Sequence, residues 1–195
     1  MINTKDLEEL SYETKLGKSL KNNLSKFDKN EVVEEIKDLI GFYQKQDFEK
    51  YDKEMFLRIK SLESFLLKWD KNYPSSSLKH AANDILGIRY IVKDYSDIDV
   101  SNLVGKYRIV NMINGKTNDD GYRGLHIYYE KDNFNYPIEI QFFTEKDAIF
   151  NSWLHDFVYK YHNNEIGIKL RDLYDKNIIV NENDFRRELN VLLDS

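Results

Sequence analysis

Four short segments rich in β-branched and aromatic residues fill the middle of the chain, and helical patterns stand on either side of them. Runs of this kind, bounded by turn residues, are typical of β-strands because branched and aromatic side chains pack well on a pleated surface. The turn "KDNFN" separates the last two segments, which predicts a β-hairpin. The four segments are residues 84–92 ("DILGIRYIV"), 106–113 ("KYRIVNMI"), 123–130 ("RGLHIYYE") and 136–143 ("YPIEIQFF").

Apolar residues spaced by three and four positions predict α-helices before and after these strands. Ser61 is the expected N-cap of one helix, since its hydroxyl can bond an unpaired N–H of the first turn. The order of helices, strands and helices predicts an α+β fold of α/β-like character, with a mixed β-sheet of about five strands flanked by helices. The predicted helices cover residues 31–44, 61–73, 146–162 and 182–193.

Composition excludes several classes of function. The 195 residues include no cysteine, so disulfides, thiol catalysis and thiolate zinc sites are excluded, and no HExxH zinc pattern occurs. No apolar run approaches the roughly 18 residues of a membrane helix, and the start "MINTKDLEEL" has no secretion signal, so we expect a cytoplasmic protein without a membrane partner. The net charge of -5 argues against nonspecific coating of nucleic acid.

One stretch departs from this acidic average. Between positions 15 and 29 there are five lysines and a single acid, Asp28. This lysine patch could bind a polyanion, or it could be a solvated helix face. Its members are Lys15, Lys18, Lys21, Lys26 and Lys29.

Two sets of charged residues suggest phosphate chemistry. Arg58 and Lys60 flank Ile59 just before the helix that begins at Ser61, and cations beside a helix N-terminus are suited to phosphate. Asp84 opens one predicted strand and Glu139 lies within another. Paired carboxylates on neighbouring strand ends are ligands that Mg²⁺ prefers. The alternative is that Asp84 caps a turn and that Glu139 pairs with an arginine.

The last strand places polar and bulky residues on one face. Glu139, Gln141 and Phe143 alternate along it, so they share a face, and the neighbouring strand bears His126. Tyr122, after Gly121, could offer its ring to a nucleobase or pack as a turn residue on the sheet edge. We interpret this face as the lining of a nucleotide site.

Together these residues resemble the synthetase domain of RelA/SpoT homologues, in particular the stand-alone small alarmone synthetases. The matching segments are "RIKSLESFLLK" (family pattern R-x-K-x-x-x-S-x-x-x-K), "DILGIR" (D-I-x-G-x-R), "GYRGLH" (G-Y-R-S-x-H), "EIQFFT" (E-I-Q-x-R-T) and "HDFVYKY" (His-x-x-x-Tyr-Lys). They occur in the family's order and span Arg58 to Tyr161, over half of the chain.

The resemblance implies a nucleotidyltransferase-like synthetase domain at 51–165, with an N-terminal helical region at 1–50 and a C-terminal helical extension at 166–195. It implies transfer of the β,γ-pyrophosphate of ATP to a 3′-hydroxyl, with Mg²⁺ as cofactor. Asp84 would ligate the metal, and Glu139 would assist it or take the proton of the hydroxyl. ATP would be bound by Arg58, Lys60, Lys68 and Arg89, and the acceptor by Lys116, Tyr122, Arg123, His126 and Gln141.

Departures from the family pattern point to a particular branch. Phe143 replaces the arginine of E-I-Q-x-R-T, and the loop "KTNDD" adds two acids where K-P-N is usual. The segment between Ile98 and Tyr107 is short. With "GYRGLH" and "NSWLH", these changes resemble the toxic small synthetases, some of which pyrophosphorylate the 3′-CCA end of tRNA and are neutralised by an antitoxin protein. The lysine patch would then hold the acceptor stem of the tRNA.

Two alternatives remain open at this level. One is a GTP or GDP pyrophosphokinase that makes the alarmone (p)ppGpp. The other is a catalytically inactive nucleotide-binding regulatory module, which the presence of both Asp84 and Glu139 disfavours. The resemblance also suggests a homo-oligomer, since small synthetases are often tetramers.

Overall fold

The computed structural model describes residues 2–161 and 163–194, apart from the side chain of Lys160. The end of the predicted helix at His162, the side chain of the lysine in the His-x-x-x-Tyr-Lys pattern, and residues 1 and 195 of the predicted domains therefore lie outside the described part of the chain. The helices of the described chain are α1 (Thr4–Glu9), α2 (Lys29–Gln44), α3 (Leu62–Asn72), α4 (Leu78–Ala81), α5 (Glu145–Trp153), α6 (Asn164–Asp175) and α7 (Glu182–Leu193). The strands are β1 (Phe56–Ile59), β2 (Leu86–Val92), β3 (Tyr107–Asn111), β4 (Leu125–Tyr129) and β5 (Ile138–Thr144).

The five strands form one sheet in the order β1-β2-β5-β4-β3. β1 pairs antiparallel with β2, so that Arg58 stands opposite Gly87. β5 is central and buried along its length except at Thr144, as expected of a strand covered on both faces. The sheet is mixed and helices flank it, which confirms the predicted α+β class.

The helix predictions hold best where a cap is present. Ser61 accepts the N–H of Ser64 at 3.2 Å and so caps α3 as predicted. The final helix coincides with its predicted range. The helix predicted from residue 146 differs, because α5 ends at Trp153 and continues as a π-helical turn over Leu154–Val158. The spacing of apolar residues does not distinguish an α-helix, with backbone hydrogen bonds between residues four apart, from a π-helix, with bonds between residues five apart.

Four of these helices and strands, β1, α1, α4 and α6, have no counterpart among the ranges predicted from residue patterns, although α1 and most of α6 fall within the helical regions expected at 1–50 and 166–195. The strand β1 has only four residues and its side chains are mostly exposed, so it shows no alternation of buried and exposed positions. The short helix α1 relies on a capping box formed by Asn3 and Asp6 rather than on an apolar face. The helix α6 buries four of its residues, Ile166, Gly167, Leu170 and Tyr174.

The chain divides into two compact units. The first consists of Met1–Tyr90, Val100–Ile109 and Ile127–Gln141, and the second of Ile91–Asp99, Val110–His126 and Phe142–Ser195. The core of the first unit includes the buried side chains of Leu39, Tyr43, Phe65, Trp69, Ile85 and Ile138. The core of the second unit is built from α5, the π-helical turn, α6 and α7, through Phe150, Leu154, Val158, Ile166, Leu170, Tyr174, Ile179, Phe185 and Leu189.

None of the helices among the described residues combines the length and the apolar character that crossing a membrane requires.

Candidate active site

In the first unit, Asp84 lies between two lysine ammonium groups. Its Oδ2 accepts a hydrogen bond from Lys60 Nζ at 2.6 Å, and its Oδ1 accepts one from Lys68 Nζ at 2.9 Å. The backbone N–H of Lys60 bonds the carbonyl oxygen of Ile85 at 2.9 Å, which holds the end of β1 against the start of β2. Lys68 comes from α3 and also donates to Asn83 Oδ1 at 2.7 Å. The end of β1 and α3 thus each bring a lysine to this one carboxylate.

Burial and the two cations have opposite effects on Asp84. Burial by itself would raise the pKa of this carboxyl, but the charges of Lys68 and Lys60 and their hydrogen bonds outweigh it, and the pKa lies below its usual range. Burial lowers the pKa of Lys68, and Asp84 offsets only part of that effect. Asp84 is therefore ionised at neutral pH and can serve as an anionic ligand.

Glu139 is held by a second chain of hydrogen bonds in the same unit. Its Oε1 accepts from the Tyr128 hydroxyl at 2.8 Å, and its Oε2 accepts from Gln141 Nε2 at 2.9 Å. Arg89 in turn donates from Nε and Nη2 to Gln141 Oε1, both at 3.3 Å. Burial, and then the charge of Glu139, raise the pKa of the Tyr128 phenol, so this tyrosine remains a donor. The carboxylate is 5% exposed and fixed from two sides.

The two carboxylates share neighbours. The negative charges of Asp84 and Glu139 both act to raise the pKa of Lys68, against the larger lowering effect of burial. Burial has the largest effect on the pKa of Tyr128 and raises it, and the charges of the same two carboxylates raise it further. Gly87 lies directly beside Glu139, because a β-carbon at position 87 would stand 3.8 Å from Glu139 Oε2, an ordinary van der Waals contact. Gly87 lies beside Glu139, and Arg89, two residues further along β2, bonds Gln141, two residues further along β5. The two strands therefore run in the same direction, as parallel strands do.

The donor set of this cluster fits Mg²⁺. Magnesium is usually bound by one or two carboxylates and completes its coordination with water and substrate phosphates, and Asp84 and Glu139 supply carboxylate oxygens only. Among residues 2–161 and 163–194, no group of three or more His, Asp or Glu side chains could hold a metal ion without other ligands. A magnesium ion here would need water or phosphate oxygens to complete its coordination. The ammonium groups of Lys60 and Lys68 lie beside Asp84.

Arg58 is also in this unit. It is exposed on β1, opposite Gly87 in the β1–β2 register. An exposed guanidinium on an edge strand can reach an anionic ligand without the cost of desolvation that the buried lysines carry.

In the second unit, three rings pack edge to face. Tyr122, His126 and Phe143 have ring centroids 5.7, 6.0 and 5.9 Å apart for the pairs 122–126, 122–143 and 126–143. The Tyr122 hydroxyl and His126 Nε2 are hydrogen-bonded at 2.8 Å. Lys116 Nζ lies 4.5 Å from the centroid of the Tyr122 ring. Tyr122 is thus both a packed turn residue and a half-exposed ring.

The two cations predicted to bind an acceptor are paired with the two acids of the "KTNDD" loop. Lys116 Nζ bonds Asp120 at 2.7 Å. The Arg123 guanidinium forms two bonds to Asp119, at 2.7 and 3.0 Å. Burial opposes ionisation of Asp119, but the Arg123 bond and backbone N–H groups outweigh it and lower the pKa of Asp119. Both positive charges are locally neutralised.

The lysine patch lies in the first unit, and all five lysines are exposed. Its two ends carry acidic partners, since Lys15 bonds Asp38 at 3.2 Å and Lys29 bonds Asp70 at 2.6 Å. Lys18 Nζ donates to the carbonyl oxygen of Lys26 at 2.9 Å. The segment is mostly turns with a single 3₁₀ turn at Leu24–Lys26, and not the helix face that one interpretation assumed.

Sequence reasoning missed three residues that hold the predicted ones. Tyr128 follows His126 by two positions, so strand periodicity alone would have placed it on the same face. Asn83 adjoins Asp84 but carries no pattern of its own. Asn151 bonds the backbone of Arg123 through both Oδ1 and Nδ2, at 3.2 and 2.7 Å, and is 28 positions away in the chain, a distance at which no sequence signal relates the two residues.

The fold and this cluster define an α+β domain with two carboxylates, one partly buried and bound by two lysines and one buried within the sheet. A family model described as a region found in RelA / SpoT proteins matches residues 57–164, more than half of the chain. The chain belongs to this family. No curated protein matches it.

Several solved structures are similar to the chain. The small alarmone synthetase 1 from Bacillus subtilis, bound to its product pppGpp, has a TM-score of 0.46 and 20% identity, over 85% of this chain and 92% of that one. A GTP pyrophosphokinase family protein from Streptococcus pneumoniae has a TM-score of 0.47 and 18% identity, over 82% and 96%. The small alarmone synthetase 2 from Bacillus subtilis has a TM-score of 0.45 and 22% identity, over 84% and 96%.

Proposed function

We propose that this chain is a magnesium-dependent pyrophosphokinase that transfers the β,γ-pyrophosphate of ATP to the 3′-hydroxyl of the terminal adenosine of tRNA. In the reaction, the 3′-oxygen forms a bond to the β-phosphorus of ATP. The bond between that phosphorus and the oxygen that bridges it to the α-phosphorus breaks, and AMP leaves. The hydroxyl proton passes to Glu139.

The buried cluster of the first unit supports the transferase part of the proposal. Transfer of phosphoryl groups depends mainly on positioning and on stabilising charge. Lys60, Lys68, Arg58 and Arg89 would bind the phosphates of ATP, and bound Mg²⁺ would neutralise charge on the transferred group. Tyr128 and Gln141 orient Glu139, so that its carboxylate is held before the acceptor arrives.

The neutralised cations of the second unit support the tRNA acceptor, and this observation carries the choice. GDP and GTP bring a 5′-polyphosphate that needs unpaired positive charge, whereas the terminal adenosine of a tRNA has a free 3′-hydroxyl and only one singly charged phosphodiester on its 5′ side. Here Lys116 and Arg123 are paired with Asp120 and Asp119, and Phe143 contributes an uncharged ring. Tyr122, the half-exposed member of the three packed rings, offers a π-face that suits a base better than phosphates.

One observation favours GDP or GTP as a second candidate acceptor. The pairs Lys116–Asp120 and Arg123–Asp119 join residues four positions apart and remain partly exposed. Pairs of this kind contribute little to stability, so a polyphosphate could displace the two carboxylates. An antitoxin partner, a cytoplasmic location and a homo-oligomer remain expectations of the family resemblance.

The test uses γ-labelled ATP with deacylated tRNA, GDP or GTP as acceptor. We expect label on the tRNA, and none on tRNA whose terminal ribose has been oxidised by periodate, because oxidation removes the 3′-hydroxyl. Label on GDP or GTP alone would refute the tRNA acceptor and support the alarmone alternative. If no acceptor is labelled, the result would support the alternative of a catalytically inactive nucleotide-binding regulatory module.

A further inference from the structure

The ring of Phe143 occupies the space that a side chain at Gly124 would need. An ideal β-carbon at Gly124 would stand 2.5 Å from Phe143 Cε1 and 3.0 Å from Cδ1. β-Carbons in proteins essentially never approach another heavy atom closer than 3.0 Å, so any residue other than glycine at position 124 would have to move the ring.

The ring has little freedom to move. Phe143 is 2% exposed, and its edge contacts with Tyr122 and His126 enclose it within the second unit. Those two residues are themselves joined by a hydrogen bond of 2.8 Å. A displaced Phe143 ring would therefore disturb the positions of both.

The backbone of Gly124 is fixed as well. Its N–H bonds the carbonyl oxygen of Met112 at 3.4 Å, and its own carbonyl oxygen accepts from Met112 N–H at 2.9 Å. Position 124 cannot withdraw from the ring without losing this pair of bonds. Residues 124 and 143 are thus sterically coupled across the sheet.

We infer, on the basis of the proposed function, that Gly124 and Phe143 act together as one specificity element that selects the terminal nucleoside of an RNA over a nucleoside polyphosphate. Gly124 permits the ring, and the buried ring packs against Tyr122 and His126, so that no charged side chain stands at position 143. A serine at 124 is incompatible with the ring, whereas the flexible chain of an arginine at 143 could lie beside it. Glycine in place of the family serine at 124 and phenylalanine in place of the family arginine at 143 therefore depend on each other.

A first experiment measures the coupling by unfolding. Gly124→Ala should lower the midpoint of thermal unfolding by roughly 5 °C, because it overpacks the site. In a Phe143→Ala background the same substitution should have little effect, since the obstructing ring is absent. Gly41→Ala is the matched control, because a β-carbon at Gly41 meets nothing within 4 Å. Additive effects of Gly124→Ala and Phe143→Ala would overturn the coupling.

A second experiment measures specificity by equilibrium binding, which needs no turnover. Dissociation constants for GDP and for deacylated tRNA are compared in the wild type, Gly124→Ser, Phe143→Arg and the double variant. The double variant should change the ratio of the two constants in favour of GDP by about tenfold or more, which is the effect of one charge-assisted hydrogen bond. Gly124→Ser alone should weaken tRNA binding without a gain for GDP.

The outcomes separate the two proposals. An unchanged binding ratio in the double variant would overturn the specificity role, even if the wild type transfers label to tRNA. If the wild type labels only GDP, the proposed acceptor fails, and the binding ratio still reports what residues 124 and 143 select. A shifted ratio together with non-additive unfolding supports the inference in either case.

Discussion

Gly121 and Gly167 approach each other so closely that neither position has room for a β-carbon. A β-carbon at Gly121 would stand 2.8 Å from the carbonyl carbon of Gly167, and one at Gly167 would stand 2.9 Å from the carbonyl carbon of Asp120. Gly121 also has a φ of +86°, a conformation that favours glycine. The turn that carries Tyr122 and Arg123 is thus fixed against α6, a helix that begins at the last residue of the matched family region.

Gly167→Ala should destabilise the protein through this contact. Overpacking typically costs about 1–3 kcal/mol in the free energy of unfolding, here reduced by the better helix propensity of alanine. Gly41→Ala in α2 is the control, since it gains the same propensity in open space and should stabilise by about 0.5–1 kcal/mol. Urea unfolding of both variants measures the difference. Equal effects would show that α6 does not restrain the turn.

Glu139→Gln should abolish pyrophosphate transfer and leave the fold intact. The amide cannot accept the hydroxyl proton, and the loss of a general base lowers the rate by about 10²–10⁴-fold. We expect single-turnover transfer from labelled ATP to fall by that factor while thermal unfolding stays cooperative. Wild-type rates in this variant would remove Glu139 from the mechanism.

The matched control is Glu35→Gln, because Glu35 and Glu139 are both 5% exposed. Glu35 accepts from the Thr14 hydroxyl at 2.5 Å, the Lys15 N–H at 2.7 Å and the Tyr136 hydroxyl at 2.6 Å. Glu35→Gln should cost about 1–3 kcal/mol in the free energy of unfolding, because the three hydrogen bonds that the charged carboxylate accepts are weakened or lost. Transfer at a temperature where the variant is folded should be unaffected.

Asp84 should make stability depend on pH in the acidic range. Its pKa is lower in the folded protein than in the unfolded chain, so its contribution is complete above its ordinary value of about 3.9. That contribution is lost as the pH falls through the lower folded value, because the unfolded state then binds the proton more readily. The difference in unfolding midpoint between the wild type and Asp84→Asn should be constant above about pH 5 and should shrink as the pH falls below about 4. A difference that stayed constant in the acidic range as well would contradict this role of the carboxylate.

Neutralising the middle of the lysine patch should weaken the use of tRNA. Lys18, Lys21 and Lys26 lie between the acid-paired ends of the patch and are exposed. Their replacement by glutamine should reduce the slope of log affinity against log salt by up to about 0.9 for each tRNA phosphate that a lysine no longer neutralises, and ATP binding should not change. The control replaces Lys5, Lys45 and Lys53, three exposed lysines elsewhere in the first unit. The same slope in both triple variants would indicate that the lysine patch is only a solvated surface and does not bind tRNA.

Much of the fold was predictable from the sequence because it follows from local patterns. The β-branched runs predicted β2 to β5, and the Ser61 cap predicted the start of α3. The strand β1 was not predictable, since four mostly exposed residues carry no periodic signal and become a strand only by pairing with β2. The π-helical turn after Trp153 was not predictable either, because it differs from an α-helix in hydrogen bonding and not in apolar spacing.

The sequence also determined which residues could carry chemistry, because the residue types and the family motifs are local. It identified Asp84, Glu139 and the departure at Phe143. The tertiary structure alone decided what each of them touches: two lysines on Asp84, a tyrosine on Glu139, and a phenylalanine ring above Gly124. From the sequence, the two acids of the "KTNDD" loop could be interpreted only as added negative charge. The structure shows that they pair with Lys116 and Arg123 and neutralise them. Charge and chemical type are properties of a residue, whereas pairing and steric exclusion depend on distances that the folded chain alone sets.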